Sequence, residues 1–123
     1  MIRQDISLTP AINDVLRNLD TIGVVTPQPG KVRAYLTQHP DLLDVIALAA
    51  RAARERLGVN TQLSLELYQD PEASDCYPTL YVRRLEYDVG IFALIDEIGS
   101  AYERDLVGKS GWFLVTTDLR PPT

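Results

Sequence analysis

One cysteine, one histidine, one methionine and one tryptophan stand among the 123 residues, and the first two scarcities each close a class of function. The lone thiol, Cys76, has no partner for an internal disulfide, so a disulfide-stapled secreted scaffold is excluded and a reducing compartment fits. With His39 the only imidazole, the clustered thiolates and imidazoles of a zinc site are missing, and neither a metal nor another cofactor is expected. No apolar run approaches the roughly 20 residues that span a bilayer. The opening residues Met1-Ile2-Arg3-Gln4-Asp5 carry no apolar stretch of signal-peptide length, so a cytoplasmic protein with no membrane contact is expected.

Basic residues are outnumbered as well. Twelve Lys and Arg stand against 17 Asp and Glu, a formal charge of −5. Phosphate neutralisation needs a concentrated basic surface, so this balance argues against a nucleic-acid partner. Arg51, Arg54 and Arg56 form the densest basic group, but they alternate with Glu55 and Ala and read as the solvated face of a helix. Glycine is absent where a calcium loop would need it: Asp70, Glu72 and Asp75 form a carboxylate-rich turn with no enabling Gly.

What is there is ordinary globular composition, 46% hydrophobic and 24% charged, in a chain of single-domain size. Residues 1–123 are expected to form one domain, with residues 1–30 as a mobile or exchanged helical arm. Thr9-Pro10 is an N-cap followed by proline at the first helical position. Ile12, Val15, Leu16, Leu19 and Ile22 then share one helical face up to Gly23. Pro27, Pro29 and Gly30 predict no regular structure over 24–30. A helix over 31–38 is interrupted at His39-Pro40. A longer helix over 41–57 follows, with Leu42, Leu43, Ile46, Ala49, Ala50, Ala53 and Leu57 inward. Its second stripe, Val45, Leu48 and Ala52, either receives the first helix or faces a partner.

The period then changes to two. Leu63, Leu65 and Leu67 alternate with polar residues over 61–68, a half-buried strand, and a second strand spans 79–86. Ile91, Leu94, Ile95, Ile98, Tyr102 and Leu106 mark a long amphipathic helix that starts near Asp88. Residues 112–117 form a third strand that is apolar on both faces, as central strands are. The expected fold is therefore α+β: N-terminal helices, then a β-β-α-β unit with a three-stranded antiparallel sheet. The last strand would lie beside the first, and helices would cover the leucine face.

Catalytic constellations are not found. His39 has no acid or nucleophile partner by spacing, and reads as a turn-capping or solvated residue. Gly108-Lys109-Ser110-Gly111 follows a helix and precedes a strand, the reverse of a P-loop, and Ser100 and Ser110 lack a nucleophile elbow. Glu66 and Arg83 are placed to pair across the sheet. Tyr68, Tyr77, Tyr81, Tyr87 and Trp112 concentrate on or near the strands, with Phe92 off the main stripe of the last helix. Either the N-terminal helices wrap that second sheet face, or a partner covers it; Tyr, Trp and Arg are the residues that anchor interfaces.

The runs Leu63-Ser64-Leu65-Glu66-Leu67-Tyr68-Gln69-Asp70-Pro71-Glu72, Leu80-Tyr81-Val82-Arg83 and Gly111-Trp112-Phe113-Leu114-Val115-Thr116-Thr117-Asp118 resemble small uncharacterised bacterial proteins. Some of these are encoded as partners in two-gene modules of toxin–antitoxin type. The resemblance covers roughly residues 40–120 and brings no catalytic residues. The leading expectation is a non-enzymatic, antitoxin-like binding or regulatory module. It would meet another protein chain or a second copy of itself through Tyr68, Tyr81, Arg83, Trp112 and Phe92. The alternative is a small enzyme or ligand-binding domain with a pocket around Arg83 and Arg84 that includes Glu66, because strict alternation with Leu80 and Val82 points Arg84 inward, where an unpaired charge is costly.

Overall fold

In the computed structural model, which describes residues 4–72 and 74–123, helix α1 covers Gln4–Thr21 and a short strand β1 follows at Val24–Val25. Residues 1–3 of the expected arm lie outside the described residues. The first helix starts earlier than Thr9-Pro10 implies, with Pro10 in its interior. Proline's fixed φ is compatible with a helix, but at this position it forfeits one N–H donor and crowds the carbonyl four residues back, a cost the helix bears. The valines of β1 correct the expectation of irregular chain over 24–30. The prolines begin only at Pro27, leaving Val24 and Val25 free to pair in parallel with Leu63 and Ser64.

Helix α2, Pro29–Gln38, opens on proline in its first turn and buries Val32 and Leu36. A single 3₁₀ turn, Pro40–Leu42, leads into α3, Leu43–Leu57, whose Ala49, Ala50 and Ala53 are fully buried. Those small side chains keep α3 slim where α1 and α4 pack along it. Strands β2, Gln62–Gln69, and β3, Cys76–Arg83, pair antiparallel. Helix α4, Gly90–Leu106, buries Ile91, Ile98, Tyr102 and Leu106 as the apolar stripe predicts. Asp88 supports its start by accepting the Gly90 N–H at 2.9 Å. Strand β4, Leu114–Thr116, closes the sheet.

The molecule is α+β, but the sheet is four-stranded and mixed, in the order β1-β2-β3-β4. β4 runs parallel to β3 at the edge, rather than antiparallel beside β2. The reason is occupancy: β1 already holds the outer side of β2, so the strand returning from α4 docks on β3. Its apolar character on both faces has a local cause. Phe113 and Val115 are buried in the core, while Leu114 lies half-buried on the other face.

Leu63, Leu65, Leu80, Val82 and Val115 join buried residues of every helix in one cluster, to which α1 contributes Ile12 and Leu19. All helices therefore pack on the leucine face. The register makes the sheet narrow: only the row Val25, Ser64, Tyr81 and Thr116 crosses all strands. Past Glu66 and Thr79, β2 and β3 continue alone as a two-stranded ribbon, where Leu67 is only half-buried. β3 begins three residues before the expected Thr79, which puts Pro78 inside it as its third residue. β4 pairs only with Thr79, Leu80 and Tyr81, so β3 has a free outer side at Pro78, a position where a missing N–H is tolerated.

Candidate interface on the open sheet face

The period of two delivers Ser64, Glu66 and Tyr68 from β2, Tyr77, Thr79, Tyr81 and Arg83 from β3, and Leu114 and Thr116 from β4 to the face without helices. Small residues lie at the bottom and large ones rise around them. Ser64 and Thr79 are buried, whereas Tyr68, Tyr77 and Tyr81 are half-buried. The Thr79 hydroxyl is the one buried side-chain polar atom without a hydrogen-bond partner among the described residues.

Arg83 is the centre of this face. Register sets it opposite Gln62, yet its side chain lies back over the Tyr81 ring, 4.9 Å from the centroid. From there Nη1 donates to Glu66 Oε2 at 2.8 Å, and Nε and Nη2 donate to the two oxygens of Asp118 at 3.2 and 2.8 Å. The Ser64 hydroxyl donates to the same Glu66 oxygen at 2.8 Å. With only 6% of the Arg83 side chain exposed, this is a largely desolvated network rather than a surface pair. Hydrogen bonding to Asp118, then to Glu66, holds the guanidinium further above its usual pKa, against the opposite pull of burial. The Asp118 carboxyl is held below its usual value, chiefly by Arg83. Burial, then the Glu66 charge, pushes the Tyr81 hydroxyl up. One cation between two carboxylates leaves the cluster with a formal net negative charge.

Of the residues singled out from sequence, Tyr68, Tyr81, Arg83 and Glu66 share this face. On the ribbon, the Tyr68 and Tyr77 rings pair across the strands at 5.3 Å. Trp112, 51% exposed, lies two residues before Leu114 at the β4 margin. Phe92, 52% exposed, is on α4 in the helix layer and does not join them. Arg84 lies just past the end of β3 and leaves Glu66 behind: Nε donates to Thr61 Oγ1 at 2.8 Å and Nη2 to the Leu57 carbonyl at 3.3 Å. Its inward-leaning charge thus rests on the C-terminal end of α3 instead of entering the core. Tyr87, which the sequence groups with the aromatics near the strands, is a half-buried hub. Its hydroxyl accepts from the Arg84 N–H at 3.0 Å and Thr117 Oγ1 at 3.3 Å, and donates to the Arg120 carbonyl.

Two clusters escaped sequence reasoning. Arg54, expected on a solvated face, is half-buried and donates to the carbonyls of Ile22, Gly23, Gly58 and Thr61, tying the ends of α1 and α3 to the entry of β2. Burial lowers its pKa. Gly23, at φ +85°, leaves the space that the guanidinium uses. His39 also has a partner after all: Nδ1 lies 2.9 Å from Ser110 Oγ. Ser110 in turn donates its hydroxyl and its backbone N–H to the two Asp41 oxygens, both at 2.8 Å, and this lowers the Asp41 pKa. The residue types are those of a catalytic triad, but the order is wrong. The serine hydroxyl lies between the Asp41 carboxylate and the His39 ring, and its backbone N–H is also held by Asp41, so Asp41 binds the serine directly instead of orienting the imidazole as in a triad. The cluster is a clasp. Its members lie 69 and 71 residues apart, beyond any local spacing signal.

Fold and site define a two-layer α+β protein with one sheet face bare of helices. Comparison with protein-family models, with curated proteins and with solved structures finds no match. Among the described residues no helix is long and apolar enough to cross a membrane, and no group of His, Cys, Asp and Glu is placed to hold a metal ion.

Proposed function

We propose that this chain is a non-enzymatic, cytoplasmic, antitoxin-like binding module whose open sheet face receives another protein chain. The observation that carries the reading is the helix-free face itself: half-exposed Tyr81 lies under an arginine already fixed by two carboxylates. Half-exposed Tyr68 and Tyr77 continue the aromatic surface along the ribbon, while residues 118–123 reach only the Gln62–Arg83 end. Rigid aromatics offer large contact area at small entropic loss, and a pre-ordered centre reduces what association must order.

Charge selects the partner. The network at Arg83 is net negative, and Asp70, Glu72 and Asp75 flank the tyrosine pair at the ribbon tip, so a second copy would meet its own sign. A chain with an apolar patch bordered by Lys or Arg complements both features. Strand addition at the β4 edge is disfavoured, because the Val115 N–H donates to Tyr102 Oη at 3.0 Å and the Trp112 N–H to Tyr35 Oη at 3.1 Å.

The test is capture from the native host at moderate salt. The isolated chain is expected to be a monomer by native mass spectrometry and to retain one basic protein, which is lost from the Tyr68→Ser/Tyr81→Ser double variant. A homodimer in isolation, or retention that the double variant leaves unchanged, would overturn the reading.

A further inference from the structure

The helix side of the β2–β3 pair ends in an open cleft of roughly 570 Å³, lined by Leu57, Asn60, Thr61, Arg84, Leu85 and Glu86. Arg84 is held there by Thr61 and Leu57, which use two of its N–H groups, and its backbone N–H is tied to Tyr87. Among the described residues no carboxylate lies within ion-pair distance of it, although Glu86 lines the same cleft. The remaining guanidinium N–H groups form a fork that the protein orients but does not fill. Such a fork matches a planar carboxylate. Beside it Leu85, 84% exposed, gives the otherwise polar cleft an apolar rim, and Leu57 lies beneath. Glu86 sets the charge limit, since a second negative charge on the ligand would face it.

We infer that this cleft binds a singly charged carboxylate carried on an apolar body. The Arg84 fork takes the carboxylate, and the apolar rim at Leu85, with Leu57 beneath it, takes the body. The site is separate from the aromatic sheet face and stands whether or not that face binds a protein. A free organic acid and an acidic side chain within an apolar peptide share this chemistry.

Amide NMR of the ¹⁵N-labelled full chain, titrated in turn with hexanoate, hexanamide and acetyl-Leu-Glu-Leu-amide at constant ionic strength, tests it. Hexanoate should shift Asn60, Thr61, Arg84 and Leu85 saturably, with hexanamide about tenfold weaker for want of the charged hydrogen bonds. A stronger response to the peptide than to hexanoate identifies a side-chain carboxylate, and the reverse a free acid; both support the site. Two surface variants leave the structural bonds of Arg84 intact. Asn60→Asp should weaken hexanoate binding several-fold by placing a competing carboxylate in the cleft, and Glu86→Gln should tighten it. Equal shifts from hexanoate and hexanamide, no saturable shift from any probe, or indifference to both substitutions would overturn the assignment.

Discussion

At the scale of single residues, the open face is held by what Arg83 prevents. Replacing it as Arg83→Met leaves Glu66 and Asp118 facing each other with no cation between them, each only about a quarter exposed (26% and 23%). Urea unfolding should show a loss of about 2–4 kcal/mol, somewhat below the ~3–5 kcal/mol for removing one partner of a fully buried ion pair because both carboxylates keep contact with water. The neighbouring Thr79 presents the opposite case. Its hydroxyl lacks a partner, so Thr79→Val should raise stability by about 1 kcal/mol in the same measurement. Half of this network was legible in the sequence. The period of two sets Glu66 and Arg83 on one face, but Asp118 reaches Arg83 only because α4 carries the chain across the sheet and the tail then turns back. That turn includes Leu119 at φ +61°, a conformation leucine seldom adopts, held by Thr117 Oγ1 accepting its N–H. No residue type in the sequence announces such a turn.

At the scale of elements, the long helices and the central strand pair could be read from period alone, since Leu63, Leu65 and the stripe from Ile91 to Leu106 are bound to one core. What escaped reading were positions where a neighbour overrides a local rule. Val24 and Val25 become a strand only because β2 offers them an edge, and Pro78 is tolerated only because β4 stops short of it. The lead-in to β4 is secured in the same non-local way. Asp41 and His39 grip Ser110, and Tyr35, its ring 4.4 Å from that of His39, accepts the Trp112 N–H. Gly111 lies between these grips: a Cβ there would come within 2.6 Å of Tyr35 Oη and 2.9 Å of His39 Cγ. Gly111→Ala should therefore destabilise the protein by about 1–3 kcal/mol through overpacking, read as a lowered urea midpoint with an unchanged slope.

At the scale of the whole molecule, stability should be lost at both ends of the pH range for different reasons. Asp118 and Asp41 have folded pKa values below their unfolded ones, so their contribution is present above about pH 3.9 and disappears as pH falls through the depressed values. Tyr102, Tyr81 and Tyr77 are raised by burial; their contribution is intact below about pH 10 and declines as pH rises through the folded values. Thermal unfolding across pH checks the assignment. Asp118→Asn should lower stability at neutral pH while flattening the acid limb, and should change the alkaline limb only through Tyr81, leaving the share of Tyr102 and Tyr77 in place. An unchanged acid limb would mean that other carboxylates govern it.

The two-stranded ribbon beyond Glu66 and Thr79 has a further consequence. Beyond the Leu67–Pro78 pair, where Pro78 is still buried, neither outer strand accompanies it and its length is independent of the helix-covered interior. Adding or removing matched pairs of residues keeps each side chain on its own side of the ribbon, so the distance at which Tyr68 and Tyr77 are held out from the body can change while the interior stays as it is.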